Sequence, residues 1–433
     1  MMKLFQTYKV PFFTLLGCLF MVTGLIWSRA LLSIGMFVIL IDIFFHRPKT
    51  RSKSIEIPIL ALGGIFLLYL LGGLNSSNWE EYVFQLKSKL PFILLPLAFL
   101  LVPGVPKRYY HGLLYAFLIS ISCATIYSLS LYVLDYEAIT KSYMQAHVLP
   151  TFINHIRFSL MVAFGSLTAF YLYYKRYYYF KSWECYLQLT LGLLLMVFLH
   201  VLAVRSGLLA FYLCIGYGLL LLWKTQKKGV AILLLAMMVV APIGAYWTVP
   251  SFKNKMGYVR YDVMRYFSNE DVSQLSDSRR IISWKVGVKA ASETPLVGVG
   301  IGDIQSEMDA VYAKEYPSLA KENWLLPHNQ FVYIYTGFGL LGLLLFTMIV
   351  FTPLIINWVY FHDPLYTAFN IIILSSFMSE STLETQIGTA FYLIFTLLGL
   401  SYFKSTIHSA VGEEVLIKEE DSKDSKRLLI EHK

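Results

Sequence analysis

The sequence predicts an all-α polytopic membrane protein of about 12 transmembrane helices, with one large outer loop and both termini cytoplasmic. Three observations predict it. Of 433 residues, 57% are hydrophobic and only 15% charged, a composition outside the range of soluble globular domains. The apolar residues fall in runs near the roughly 20 residues that a spanning helix requires. Lys and Arg gather in alternate connections between these runs, as the positive-inside rule requires of cytoplasmic loops. The net charge of +9 is therefore read as topology and not as a nucleic-acid surface.

Taken in order, the runs lie near 10–27, 30–45, 56–74, 90–103, 111–134, 157–174, 185–202, 205–222, 229–248, 329–357, 365–380 and 386–403. Lys3 and Lys9 precede the first run without a small-residue cleavage site, so it reads as a retained span. The fourth run, PFILLPLAFLLVPG, is short and proline-bearing, which predicts a broken or re-entrant segment. One set of connections holds Arg47, Lys49, Arg51 and Lys53, then Lys107 and Arg108, then Lys175, Arg176 and Lys181, then Lys224, Lys227 and Lys228, and finally Lys404. The alternate set holds only Arg29, Lys87, Lys89 and Lys141. This places both termini in the cytoplasm and the segment from Pro250 to Pro327 outside it. The expected parts are an N-terminal bundle over 1–249, the large loop over 250–328, C-terminal helices over 329–404 and a tail over 405–433. From Gly412 the tail alternates charges and reads as solvated chain. Cys18, Cys123, Cys185 and Cys214 have no paired spacing, so neither disulfides nor a zinc site are expected.

Ionisable groups at a membrane boundary are functional candidates, because a central Arg costs about 2.5–3.5 kcal/mol on insertion scales. Arg157 opens the sixth run, Arg205 sits in the tight connection before the eighth, and Arg279 and Arg280 lie in the large loop. Arginine forks bind phosphate oxygens in pairs and stay charged at physiological pH, which suits a lipid-linked phosphate. The competing readings are interfacial snorkelling for Arg157 and solvated loop arginines for Arg279 and Arg280. Adjacent residues of a helix point in different directions, so only one of the two is expected to face a site. His328 and Asn329 open the tenth run; Asn329 suits a helix cap, and His328 either titrates at the site or merely lies at the interface, as do His147 and His155. Glu380 and Glu384 in SESTLETQIG are expected one helical turn apart, lining a cavity, pairing with Arg157 or Arg205, or lying as ordinary loop carboxylates. Gly298, Gly300 and Gly302 fit no phosphate-loop spacing and read as a tight turn.

The set Arg280, Trp284, Pro295, Gly298, Gly300, His328, Asn329, Gly337, Gly339 and Gly342 resembles the signature region of the O-antigen ligase and O-antigen polymerase superfamily. The specific likeness covers Ser276 to Gly342. It implies an enzyme of the bacterial inner membrane whose large loop is periplasmic. The enzyme would move a glycan from undecaprenyl pyrophosphate to an acceptor such as lipid A core, with no cofactor and no required metal. By position, the resemblance implies catalytic roles for Arg280 and His328, and for Arg205 on fewer flanking residues. Arg157, Arg279, Asn329, Glu380 and Glu384 complete the expected substrate-binding set. Donor glycan, acceptor and membrane lipids are the expected partners, and nucleic acid is not. The alternatives are a polymerase joining lipid-linked repeats and, in another class, a polysaccharide or lipid exporter. A transporter would place its charges near the midplane between repeats, whereas here they gather at one face. A purely structural scaffold leaves the arginine and histidine group without a role.

Overall fold

In a computed structural model of the chain, residues 11–45, 53–143, 148–226, 228–268 and 276–407 are described. His147 and the tail from Gly412 fall outside these residues. The described chain is helical, with no strand. The helices are α1 (Phe12–Trp27), α2 (Arg29–Ile41), α3 (Lys53–Leu71), α4 (Trp79–Ser88), α5 (Pro91–Leu101), α6 (Lys107–Leu134), α7 (Tyr136–Ser142) and α8 (His155–Tyr174). They continue as α9 (Glu184–Leu202), α10 (Arg205–Lys224), α11 (Lys228–Thr248), α12 (Pro250–Phe267), α13 (Ser276–Ala290), α14 (Ile304–Glu315), α15 (Gln330–Ile356), α16 (Pro364–Ser379) and α17 (Gln386–Ile407).

Among the described residues, nine helical stretches are long and apolar enough to cross a membrane. The runs near 10–27, 30–45 and 365–380 form shorter helices of 16, 13 and 16 residues. The fourth run is broken at Lys89 and Leu90 but reaches further than expected. α4 and α5 together make a 23-residue stretch, Trp79–Leu101, that is long enough to span. Its length was hidden by Lys87 and Lys89, and Lys89 is buried by pairing with Glu384 at 2.7 Å.

α8 and α17 are the most enclosed of the spanning helices, and α8 packs against α6, α9, α10 and α16. Helix starts follow local chemistry. Asn154 caps α8 by accepting from Ile156 N, and Asn329 caps α15 by accepting from Phe331 N and Val332 N. Pro364 occupies the first turn of α16, where its missing N–H costs nothing.

The chain between α13 and α14 docks on a break in α15. Gly339 has φ +62° and ψ −162°, a region open essentially to glycine alone, and there the helix parts. Residues 295–300 run alongside the gap. Val299 N donates to Thr336 O and Gly300 N to Gly337 O, while Leu340 N and Leu341 N donate to Pro295 O and Leu296 O. The turn expected at Gly298–Gly302 is present, with Asp303 N donating to Gly300 O, and its glycines permit contact of backbone on backbone. A Cβ at Gly298 would lie 2.5 Å from Gly337 C, and one at Gly300 would lie 2.2 Å from Asn75 O. The N–H groups of Gly298, Val299, Gly300 and Gly302 all donate within the protein, so they form no phosphate cradle.

A Cβ at Gly339 would meet Leu296 C at 2.3 Å, so Gly339→Ala is expected to cost about 3 kcal/mol or more through strain and overpacking. Thermal unfolding of the purified protein in detergent checks this against Gly216→Ala, where nothing lies within 4 Å and no loss is expected.

Candidate functional site

α13 positions one edge of the site. Asp262 on α12 caps its first turn, accepting from Asp277 N at 2.9 Å, Ser278 N at 3.3 Å and Ser278 Oγ at 2.5 Å. The side chain of Asp277 then forms a two-pronged ion pair with Arg205 at the start of α10. With its N-terminus tied in this way, α13 turns a stripe at 280, 283, 284 and 287 toward the start of α15, the spacing of one helix face. Ser283 Oγ accepts from His328 N at 3.3 Å, and Trp284 Nε1 donates to His328 O at 3.0 Å. At Gly287 the absence of a side chain allows close crossing, because a Cβ would lie 2.9 Å from Pro327 Cγ and from Thr336 Oγ1.

α16 supplies the centre of the site. The helix ends at Ser379, and Glu380 is its extended C-cap residue. One carboxylate oxygen of Glu380 accepts from Arg280 Nη2 at 2.8 Å, and the other lies 3.2 Å from His328 Nδ1. The Glu380 side chain is 8% exposed, against 25% for Arg280 and 28% for His328. Burial pushes the Glu380 carboxyl up, but the His328 hydrogen bond and the charges of His328, Arg280 and Arg157 outweigh it and hold it below the usual range. Glu380 is thus an anion at neutral pH. With Nδ1 held by Glu380, His328 Nε2 has no partner among the described residues and is the nitrogen left for chemistry.

Further cations surround this group. Arg157, one turn into α8, interacts electrostatically with Glu380 and makes no ion pair among the described residues. Lys255 on α12 is 7% exposed, and burial, Arg205 and Arg280 push its ammonium down to about 8. Asp262 acts on it electrostatically without forming an ion pair. His155 lies within electrostatic reach of Lys255, Arg280, Glu380 and Arg157. It also lines a shallow cavity of about 420 Å³ with Leu149, Pro150 and Asn154. Taken together, Arg157, Arg205, Lys255 and Arg280 outnumber the carboxylates they face, and two of them make no ion pair among the described residues.

The structure therefore brings Arg157, Arg205, Arg280, His328 and Glu380 into one cluster. Arg279 turns away and donates to Asn323 Oδ1 at 2.7 Å, as the divergence of neighbouring helix residues requires. Asn329 is engaged in capping, with its amide N donating to Met378 O at 3.1 Å. The helical pairing expected of Glu380 and Glu384 does not form, because α16 ends before Glu380 and residues 382–384 form a single 3₁₀ turn. Glu384 belongs to a separate buried network. It pairs with Lys89, accepts from Tyr69 Oη at 2.6 Å and accepts from Gln330 Nε2 at 2.8 Å.

Sequence reasoning missed Lys255, Asp262 and Asp277 and set His155 aside. The available signal was the apolar spacing of PSFKNKMGYVRYDVMRYF, which marks a helix and not an irregular loop. Among the described residues, no group of three or more His, Cys, Asp or Glu side chains is arranged to hold a metal ion.

Residues 189–347 match the family described as O-antigen ligase. The matched stretch runs from α9 into α15, taking in Arg205, Lys255, Arg280 and His328 and leaving Arg157 and Glu380 outside. No curated protein matches the chain.

Proposed function

We propose, from the match of residues 189–347 to the O-antigen ligase family, that this multi-pass membrane protein transfers a glycan from a lipid diphosphate, undecaprenyl pyrophosphate, to an acceptor hydroxyl such as one on lipid A core. The observation that carries this reading is the Glu380 carboxylate, shared between Arg280 and His328 and ringed by cations of which two make no ion pair among the described residues.

The chemistry follows from those positions. The acceptor oxygen attacks the anomeric carbon of the donor glycan, and its proton passes to His328 Nε2. The bond from the anomeric carbon to the phosphate oxygen breaks, and the leaving lipid diphosphate takes the electron pair. Negative charge therefore grows on the phosphate in the transition state. Arg280, Arg205, Arg157 and Lys255 meet that charge from fixed positions, and such preorganised electrostatics is commonly the largest catalytic contribution. Glu380 accepts the Nδ1–H of His328, orients the ring and stabilises the imidazolium that forms. A base on one face of the sugar with the leaving group on the other gives inversion at the anomeric carbon. No step in this scheme calls on a metal. The enzyme works at the periplasmic face of the bacterial inner membrane, where the segment containing α12 to α14 meets the lipid-linked donor.

The test is transfer by the purified protein from undecaprenyl-diphosphate glycan, with and without chelator. A new glycosidic bond with release of undecaprenyl diphosphate is expected in both conditions. Glycan joined to lipid A core identifies a ligase, and glycan joined to a second lipid-linked repeat identifies a polymerase. Movement of intact donor across a vesicle membrane with no new bond would replace this reading with an exporter.

A further inference from the structure

A second cationic site lies at the far end of α8. From Arg157 to Lys175 that helix rises about 27 Å, at 1.5 Å per residue. Lys107 and Arg108 open α6 there, Lys175 and Arg176 close α8, and with His111 and Tyr177 they line a cavity of about 470 Å³. Among the described residues none of the four cations has a carboxylate partner. The nearby acids are engaged elsewhere. Glu184 accepts from the backbone N–H groups of Tyr179, Phe180 and Lys181, and Asp363 caps α16 and accepts from Tyr171 Oη, acting on Lys175 electrostatically but forming no ion pair with it. Aromatic faces hold two of the cations in place without neutralising them: Arg108 over Tyr179 at 5.8 Å and Lys175 over Tyr171 at 5.5 Å.

A second observation is independent of the charge. His111 is only 3% exposed, yet its Nε2 has no hydrogen-bond partner. An unpaired buried polar group is costly, and of the residues lining this cavity His111 alone carries one. The level in the bilayer also fits a headgroup. The cavity sits at the ends of two spanning helices, beside the exposed rings of Tyr174, Tyr178 and Phe180 that mark a membrane interface.

We propose that this cavity binds a phosphate group, supplied by the headgroup of an anionic membrane phospholipid. Basic pockets between spanning helices are recurrent headgroup sites, and each Lys or Arg near an anionic surface contributes about 1 kcal/mol. The site is separate from the Arg280–His328 cluster and does not depend on the transfer reaction.

Native mass spectrometry of the full chain released from detergent tests it, with phosphatidylglycerol and phosphatidylcholine titrated in parallel. Phosphatidylglycerol should be retained in preference, and retention should weaken at least about tenfold in a Lys107→Gln/Lys175→Gln variant, two lost contributions of that size. Arg108→Gln serves where the double variant fails to fold, and Lys289→Gln on exposed α13 should change nothing. A further arm adds inorganic phosphate. Displacement of the lipid shows that the phosphate group alone is recognised, and resistance to displacement shows that the lipid-anchored form is the ligand. Equal retention of the two lipids, or undiminished retention by both pocket variants, overturns the proposal.

Discussion

Replacing His328 with alanine is expected to lower the rate of glycan transfer by roughly 10²–10⁴, the usual contribution of a positioned general base. The size follows from the geometry. Glu380 fixes Nδ1 at 3.2 Å, and Trp284 and Ser283 fix the backbone on either side of the ring, so His328 is held with Nε2 unpaired. Arg280→Ala is expected to cost about 10²–10³, as for loss of one preorganised donor to a developing oxyanion. Glu380→Gln touches both functions, since the amide keeps the shape but lacks the charge that holds Arg280 and favours imidazolium. Residues that act as a unit are strongly non-additive, so His328→Ala combined with Glu380→Gln should be no slower than the poorer single variant by more than a few fold. Single-turnover transfer rates with unfolding midpoints as a folding control check this. A His328→Ala enzyme of normal rate would remove the histidine from the mechanism, and fully multiplicative losses would separate Glu380 from it.

Glu384→Ala is expected to act on stability, by about 3–5 kcal/mol, because it breaks a buried ion pair and strands its partner. Lys89 is 1% exposed, and after the substitution its ammonium would keep the Leu383 carbonyl at 2.6 Å and the face of Tyr69 at 4.7 Å but no carboxylate. Tyr69 Oη and Gln330 Nε2 would lose their acceptor at the same time. Thermal unfolding in detergent reads the loss. A Lys89→Met/Glu384→Leu variant should recover much of it, since an apolar pair of similar volume avoids the desolvation cost of two charges. An unchanged midpoint for Glu384→Ala would mean that the network contributes nothing to the fold.

What the sequence made legible followed from local periodicity. Long apolar runs marked α6 and α8 to α11. The divergence of Arg279 from Arg280 was likewise a matter of helical spacing. The rest depended on distance in space. Lys255 and Asp262 lie on α12, inside a stretch read only as an outer loop, and no spacing rule links them to Arg205 or Asp277. Glu380 and Glu384 misled because their i, i+4 separation suggested a helix. The Ser and Thr residues around them bond locally to backbone and to each other, as in Ser376 with Thr382 and Thr385 with Thr382 O, which favours an ended helix and a short turn. The span containing α4 and α5 was cut short for a related reason: Lys89 reads as a loop charge until Glu384 is brought beside it.

The break at Gly339 also decides what can be exchanged between relatives of this protein. Residues 295–300 donate to or accept from Thr336, Gly337, Leu340 and Leu341, closing a gap in a helix that crosses apolar surroundings where no water would serve. A chimaera that swaps residues 276–327 alone inherits a foreign plug for its own break. The natural module is therefore the loop together with the first half of α15, from Ser276 to Gly342, and specificity transplanted on any shorter piece would arrive with an unsealed helix.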